Sequence, residues 1–231
     1  MRVVLEEIEK LNGEISLLDA GILFRLAMNM QLATGSLLVS KVSKGGTPQP
    51  LTMKDMEKVL GKKEDGVKTA LKRLEAIGAI RKEKKGRNNV YFINELLINI
   101  GKQQAATPFA KVYKTESKKM LEKLTDSQAG LLLKLIPYVN YHYLILTHDP
   151  TEKDETKAKP LRMNEVAALL GMTENRFNIL FSKLKAKQAV ATYETGTKGK
   201  AIYIHPHLVD RGNTTEALEL HIIKLFRLMQ N

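Results

Sequence analysis

The chain has 231 residues, enough for one large domain or two small ones, and 43% hydrophobic with 27% charged residues is ordinary globular material. Its formal net charge of +12 calls for a polyanionic partner, either nucleic acid or an anionic membrane surface. The absence of cysteine excludes disulfides, thiolate metal sites and a thiol nucleophile and fits a reducing cytosol, and no run approaches the roughly 18 apolar residues of a membrane span.

The opening MRVVLEEIEKL is acidic by its sixth residue and does not read as a secretory signal; Val4, Ile8 and Leu11 predict an amphipathic helix. The next helix opens at Ser16-Leu-Leu-Asp19, which has capping-box spacing. A short apolar strand is expected over 36–40, then the loop SKGGTPQP. A helix beginning after Thr52 ends at Gly61, the residue type a helix C-terminus favours. Another starts near Glu64 and buries Val67, Ala70, Leu71, Leu74 and Ile77, one face at i, i+3, i+4, i+7 spacing. Alternating segments over 79–84 and 90–94 flank a Gly-containing turn and predict a hairpin. GKQQAATP, residues 101–108, reads as a linker. Residues 109–124 predict a Lys-rich helical stretch with Thr115 as its cap.

From there the pattern recurs. LTMKDMEKVLGKKEDGVKTALKRLEAIGAI, from Leu51, overlays LRMNEVAALLGMTENRFNILFSKLKAKQAV, from Leu161, at an offset of 110 without a gap. Upstream, AGILFRL from Ala20 meets AGLLLKL from Ala129 at an offset of 109. Downstream, Val90-Tyr91 meets Ile202-Tyr203 at an offset of 112. The second copy has its own capping box, Thr125-Asp-Ser-Gln128, a strand over 143–147 and the loop HDPTEKDETKAKP. A helix follows that ends at Gly171. The next buries Phe177, Leu180, Phe181 and Leu184, and a hairpin runs over 189–194 and 201–205. Last, TTEALELHIIKLFRLMQN carries Leu218, Ile222, Leu225 and Met229 as a helix-packing seam, for its own domain or for a homodimer.

Helix, strand, helix, short turn, helix, hairpin is the order of a winged helix-turn-helix. The run LTMKDMEKVLGKKEDGVKTALKRLEAIGAIRK resembles the corresponding part of MarR-type regulators, and the pairing of two such units resembles the tandem winged-helix replication initiators of plasmids and phages. FAKVYKTESKKMLEKLTDSQAGLLLKLIPYVNYHYLIL is similar to helix-turn-helix proteins of Gram-positive mobile elements. The expected fold is mainly α with small β-hairpins, an α+β class, in two tandem winged helix-turn-helix domains. The first spans 1–100, the linker 101–108 and the second 109–231.

In such a fold the third helix of each unit offers its outer face to the major groove of duplex DNA. The candidate DNA-binding residues of the first unit are Lys62, Lys63, Lys68, Thr69, Lys72 and Arg73, with Lys84, Lys85, Arg87 and Asn88 at the hairpin. Those of the second are Thr173, Asn175, Arg176, Asn178, Ser182 and Lys183, with Lys198 and Lys200 at its hairpin; Ile179 shares the exposed face. The lysines suit phosphates as point charges, whereas Asn, Arg and Ser can read base edges, so the second unit should discriminate sequence and the first should grip. Residues 61–87 carry a net +6 and 172–200 a net +4, which is +10 of the chain's +12 in two helix-plus-hairpin segments.

Other signals weigh less. GKKEDGVKT is one residue from a phosphate-binding loop, but Val67 spoils its spacing and a helix precedes it where a strand is needed. His205-Pro-His207 lacks a third metal ligand. No catalytic constellation, cofactor or metal site is expected. The expected function is a non-enzymatic, sequence-specific DNA-binding regulator of transcription from a mobile element or phage, acting in the cytoplasm on the nucleoid. The alternatives are a plasmid or phage replication initiator, and a protein-interaction module acting on host polymerase or replisome.

Overall fold

The computed structural model describes residues 1–32, 34–40, 46–101, 107–154, 156–194, 200–211 and 215–228, the last residue by its backbone alone. Strand β1 (Arg2–Val4) leads into α1 (Leu5–Asn12) and α2 (Leu17–Ala27). Helices α3 (Met53–Leu60) and α4 (Glu64–Ala76) follow, then the hairpin β2 (Ile80–Lys85) and β3 (Asn88–Ile93), and the short β4 (Ile98–Asn99). The same order then runs again: β5 (Phe109–Val112), α5 (Lys114–Glu122), α6 (Asp126–Leu135), α7 (Met163–Leu169), α8 (Glu174–Ala186), the hairpin β6 (Val190–Glu194) and β7 (Lys200–Ile204), and β8 (Val209–Asp210). A 3₁₀ turn (Ile136–Tyr138) extends α6, and α9 (Glu216–Leu228) closes the chain. The mixed α+β content is consistent with a winged-helix architecture.

Local chemistry explains where the helices begin and end. Ser16 accepts from the Asp19 amide at 3.1 Å, and Thr52 and Thr125 form full capping boxes with Asp55 and Gln128. Gly61 and Gly171, at φ 61° and 62°, take the left-handed conformation that ends α3 and follows α7.

A shared sheet and a helix crossing join the halves. Strands β4-β1-β5-β8 form one sheet, with β1 pairing β5 so that Arg2 lies opposite Lys111. Behind it, α2 and α6 cross at Gly21 and Gly130. A Cβ on Gly21 would stand 1.8 Å from the Asp126 carbonyl oxygen, and one on Gly130 1.8 Å from that of Leu17. Only hydrogen side chains permit this backbone approach. Around the crossing, Ile22, Leu23, Phe24, Leu131, Leu132 and Leu133 are buried in a core continuous through both halves. Polar ties cross too: Lys134 Nζ donates to the Asn12 carbonyl at 2.7 Å, and Asn12 Nδ2 donates to the Lys134 carbonyl at 3.1 Å.

Several expectations change. Residues 109–124 are a strand and then a helix: Phe109–Val112 is drawn into the sheet by β1, Tyr113 stands at the N-cap of α5, and Thr115 lies inside that helix. Segments 36–40 and 143–147 make only isolated bridges, such as Leu37 to Phe92 and Ile145 to Tyr203. In the hairpins Ile80 pairs Ile93 and Val190 pairs Ile204, so Phe92, not Tyr91, corresponds to Tyr203. A one-residue slip turns a strand over: Tyr91 is buried in the core like Ile202, while Phe92 lies under the Arg81 guanidinium at 3.9 Å. The seam of α9 faces its own chain. Ile222 and Leu225 are buried, and the Phe226 ring packs tilted against that of His205 with centroids 4.6 Å apart. Met229 lies outside the described residues, as does most of the expected linker.

Candidate nucleic-acid interface

Helix α4 buries Val67, Ala70, Leu71 and Leu74, which leaves Asp65, Thr69 and Lys72 along the opposite line at i, i+4, i+7 spacing. Helix α8 buries Phe177, Phe181 and Leu184 and exposes Asn175, Ile179 and Ser182 along the same line, flanked by Arg176 and Lys183 on one side and Asn178 on the other. Each helix is entered by a tight turn from the helix before it, and each is followed by a hairpin. The first hairpin turns at Gly86, φ 62°, with Lys85 paired to Asn88, so Lys84, Lys85, Arg87 and Asn88 all stand exposed at its tip. In the second, Lys200 pairs Glu194 across the strands, and Lys198 lies outside the described residues.

The predicted residues of the first half divide into bound and unbound cations. Arg73 makes a two-toothed contact to the buried carboxylate of Asp19 on α2, with Nε 3.0 Å from both oxygens and Nη2 2.6 Å from Oδ1. The hydrogen bonds to Asp19 push the Arg73 pKa further up. Lys62 reaches across the joint to Asp126 of α6 at 2.7 Å, where Arg25 Nε also donates to the same carboxylate at 2.9 Å. Lys68 pairs with Glu64 at 2.7 Å, an exposed i, i+4 pair whose hydrogen bond raises the Lys68 pKa and lowers that of Glu64. Lys63, Lys72, Lys84, Lys85 and Arg87 are exposed, and among the described residues none of them forms an ion pair. Arg73 therefore ties α4 to α2 within the first half, and Lys62 ties the first half to α6 of the second, contacts that spacing along the chain does not signal.

In the second half Thr173 spends its hydroxyl as the N-cap of α8, accepting from the Arg176 amide at 3.4 Å. Arg176 and Lys183 form no ion pair among the described residues. Lys200 sits 3.6 Å from Glu194, an exposed contact of little energetic weight. Lys185, which the sequence reading passed over, lies exposed near the end of α8 and donates to Thr192 at 3.2 Å. Its signal was present: the second of three lysines in the run SKLKAK.

No group of three or more potential metal ligands occurs among the described residues, and no helix there is long and apolar enough to cross a membrane. His205 instead accepts from the His207 amide at 3.2 Å and packs on α9.

Two short helices joined by a tight turn, the second with a polar outer face, and then a basic hairpin make the arrangement of a winged helix-turn-helix. A family model described as penicillinase repressor matches residues 47–134. That family comprises winged-helix DNA-binding repressors, and the matched region runs from just before α3 through α4 and the first hairpin into α6. No curated protein and no solved structure matches the chain.

Proposed function

We propose that the chain is a sequence-specific, double-stranded DNA-binding repressor of transcription, built of one winged-helix unit over 1–100 and a second over 109–231. The observation that carries this reading is the outer face of α8, where Asn175, Arg176, Asn178, Ser182 and Lys183 stand exposed and, among the described residues, outside any ion pair, beside a tight helix–turn–helix. The penicillinase-repressor match over the equivalent part of the first half supports it. Helix α8 reads bases, and the hairpin tip Lys84–Asn88, with Lys63 and Lys72, holds phosphates. The protein acts in the cytoplasm on the nucleoid, in a mobile element or phage context, and uses no cofactor. Dimerisation through the seam of α9 would require the buried Ile222 and Leu225 to leave their own core, so the two units of one chain supply the paired recognition helices.

The joining of both units in one chain through a shared sheet also favours a second reading, an initiator that binds repeated sites at a plasmid or phage origin. The arrangement of bound sites separates the two: one operator over a promoter supports the repressor, several direct repeats support the initiator.

The test is a mobility-shift titration against DNA selected from a random pool. If six to ten cations neutralise phosphates, affinity falls about 10³–10⁵-fold between 50 and 200 mM salt. Affinity that ignores salt would overturn the reading in favour of a protein-interaction module. Arg87→Ala and Lys85→Ala should weaken binding to selected and random DNA alike, whereas Arg176→Ala and Asn178→Ala should shift sequence preference.

A further inference from the structure

The outer face of α8 has an apolar centre. Ile179 is 50% exposed and lies midway along the line Asn175, Ile179, Ser182, directly opposite the buried Phe177 and Phe181. The residues one turn before and after it are polar, as are Asn178 beside it and Lys183 beyond. A docking surface for another protein would be a contiguous apolar patch, and the surroundings of Ile179 are the reverse of one. They are hydrogen-bonding groups with a single branched hydrocarbon among them. In the major groove, base edges present donors and acceptors everywhere except at one apolar group, the C5 methyl of thymine. The β-branched isoleucine is stiff about χ1, so it can present its methyl groups there with little loss of side-chain entropy. The corresponding position of α4 is Thr69, also exposed, β-branched and midway between Asp65 and Lys72.

We infer that Ile179 is a specificity residue that selects a 5-methylpyrimidine, in unmodified DNA thymine, at one position of the half-site read by α8. The inference rests on the DNA-binding reading above and sharpens it. It assigns the one exposed side chain of this face that cannot hydrogen-bond, and it makes the DNA methyl group itself the ligand.

Replacing thymine by deoxyuridine removes that methyl and nothing else, so the test is a scan of the pool-selected site with single deoxyuridine substitutions. For the wild-type protein one position should lose about three- to tenfold in affinity, the size expected for burying one methyl contact in a packed interface. Ile179→Ala should bind the thymine and deoxyuridine versions of that site equally, and Ile179→Val should keep part of the difference. Since Ile179 is half exposed, both variants should melt like the wild type, which circular dichroism checks. If wild type binds its selected site but no deoxyuridine substitution matters, DNA binding stands and this inference falls. If Ile179→Ala keeps the full discrimination, the methyl is read by another residue and the inference falls too. Failure to enrich any sequence from the pool would sink the DNA-binding reading and the inference with it.

Discussion

Helices α4 and α8 have the same length, follow the same tight turn and share three buried positions, but they deploy charge differently. The segment around α4 has more basic residues, yet Lys62, Lys68, Arg73, Arg81 and Lys82 are all engaged with carboxylates. The α8 segment has fewer, and among the described residues neither Arg176 nor Lys183 forms an ion pair, whereas the unpaired cations of the first half gather mainly at its hairpin tip, Lys84, Lys85 and Arg87. Counting charges along the chain therefore overstates the grip of the first half. The engaged cations differ among themselves. The Lys68–Glu64 pair is exposed and can open toward a phosphate at little cost. Arg73 is held by a carboxylate only 9% exposed, which would be left buried and unpaired if Arg73 turned to DNA.

The largest effect should come from breaking the joint that lets the halves be compared at all. Gly21→Ala or Gly130→Ala places a methyl 1.8 Å from a backbone oxygen of the facing helix. Each should cost about 3–5 kcal/mol or abolish folding, beyond ordinary overpacking because backbone rather than side chain must move. Urea denaturation measures it, and a loss under about 1 kcal/mol would mean that α2 and α6 do not cross so closely.

A smaller effect distinguishes the halves by pH. His205 follows β7, where the first half has Asn94. Burial, and then the neighbouring His207, push its pKa down from the usual 6.5 to about 4, with Glu116 opposing. His207 in turn lies 3.9 Å from Glu219 of α9. Unfolded His205 takes up its proton near 6.5 and the folded form only near 4. As pH falls through that window the unfolded chain binds the extra proton, so stability declines; above 6.5 this contribution is flat. Hydrogen exchange should show α9 and β7 loosening before the first half as pH drops from 6.5 to 4. His205→Asn should remove that difference, and equal loosening of both halves in the wild type would refute it.

The smallest effect lies at Gly66, which occupies the position of Arg176. A Cβ there meets only the Lys62 side chain at 3.6 Å, an ordinary contact, so Gly66→Ala should stabilise by about 0.5 kcal/mol in thermal unfolding. Gly66→Arg would give α4 the arginine of α8 and should raise DNA affinity a few-fold. Unchanged affinity would show that α4 does not approach the duplex as α8 does.

Much of this was legible beforehand because its causes are local. Periodicity set the buried faces of α4 and α8, hydroxyl-to-acceptor spacing set the starts of α2 and α6, and glycine marked where α3 ends. The outer faces followed by subtraction, so the exposed candidates on α8 were all readable. Pairings between distant residues were not: nothing near Lys62 points to Asp126, and nothing near Arg73 points to Asp19.

The sequence by itself determined the recurring helices, their caps, the hairpins and the basic face, since each follows from residues within a turn or two of one another. Only the tertiary structure decided the rest. Phe109–Val112 is a strand because β1 lies beside it, and the hairpin register puts Tyr91 inside because a core waits on that side. Gly21 and Gly130, visible from the start as matching letters in AGILFRL and AGLLLKL, owe their identity to a crossing where two backbones meet without room for a methyl group.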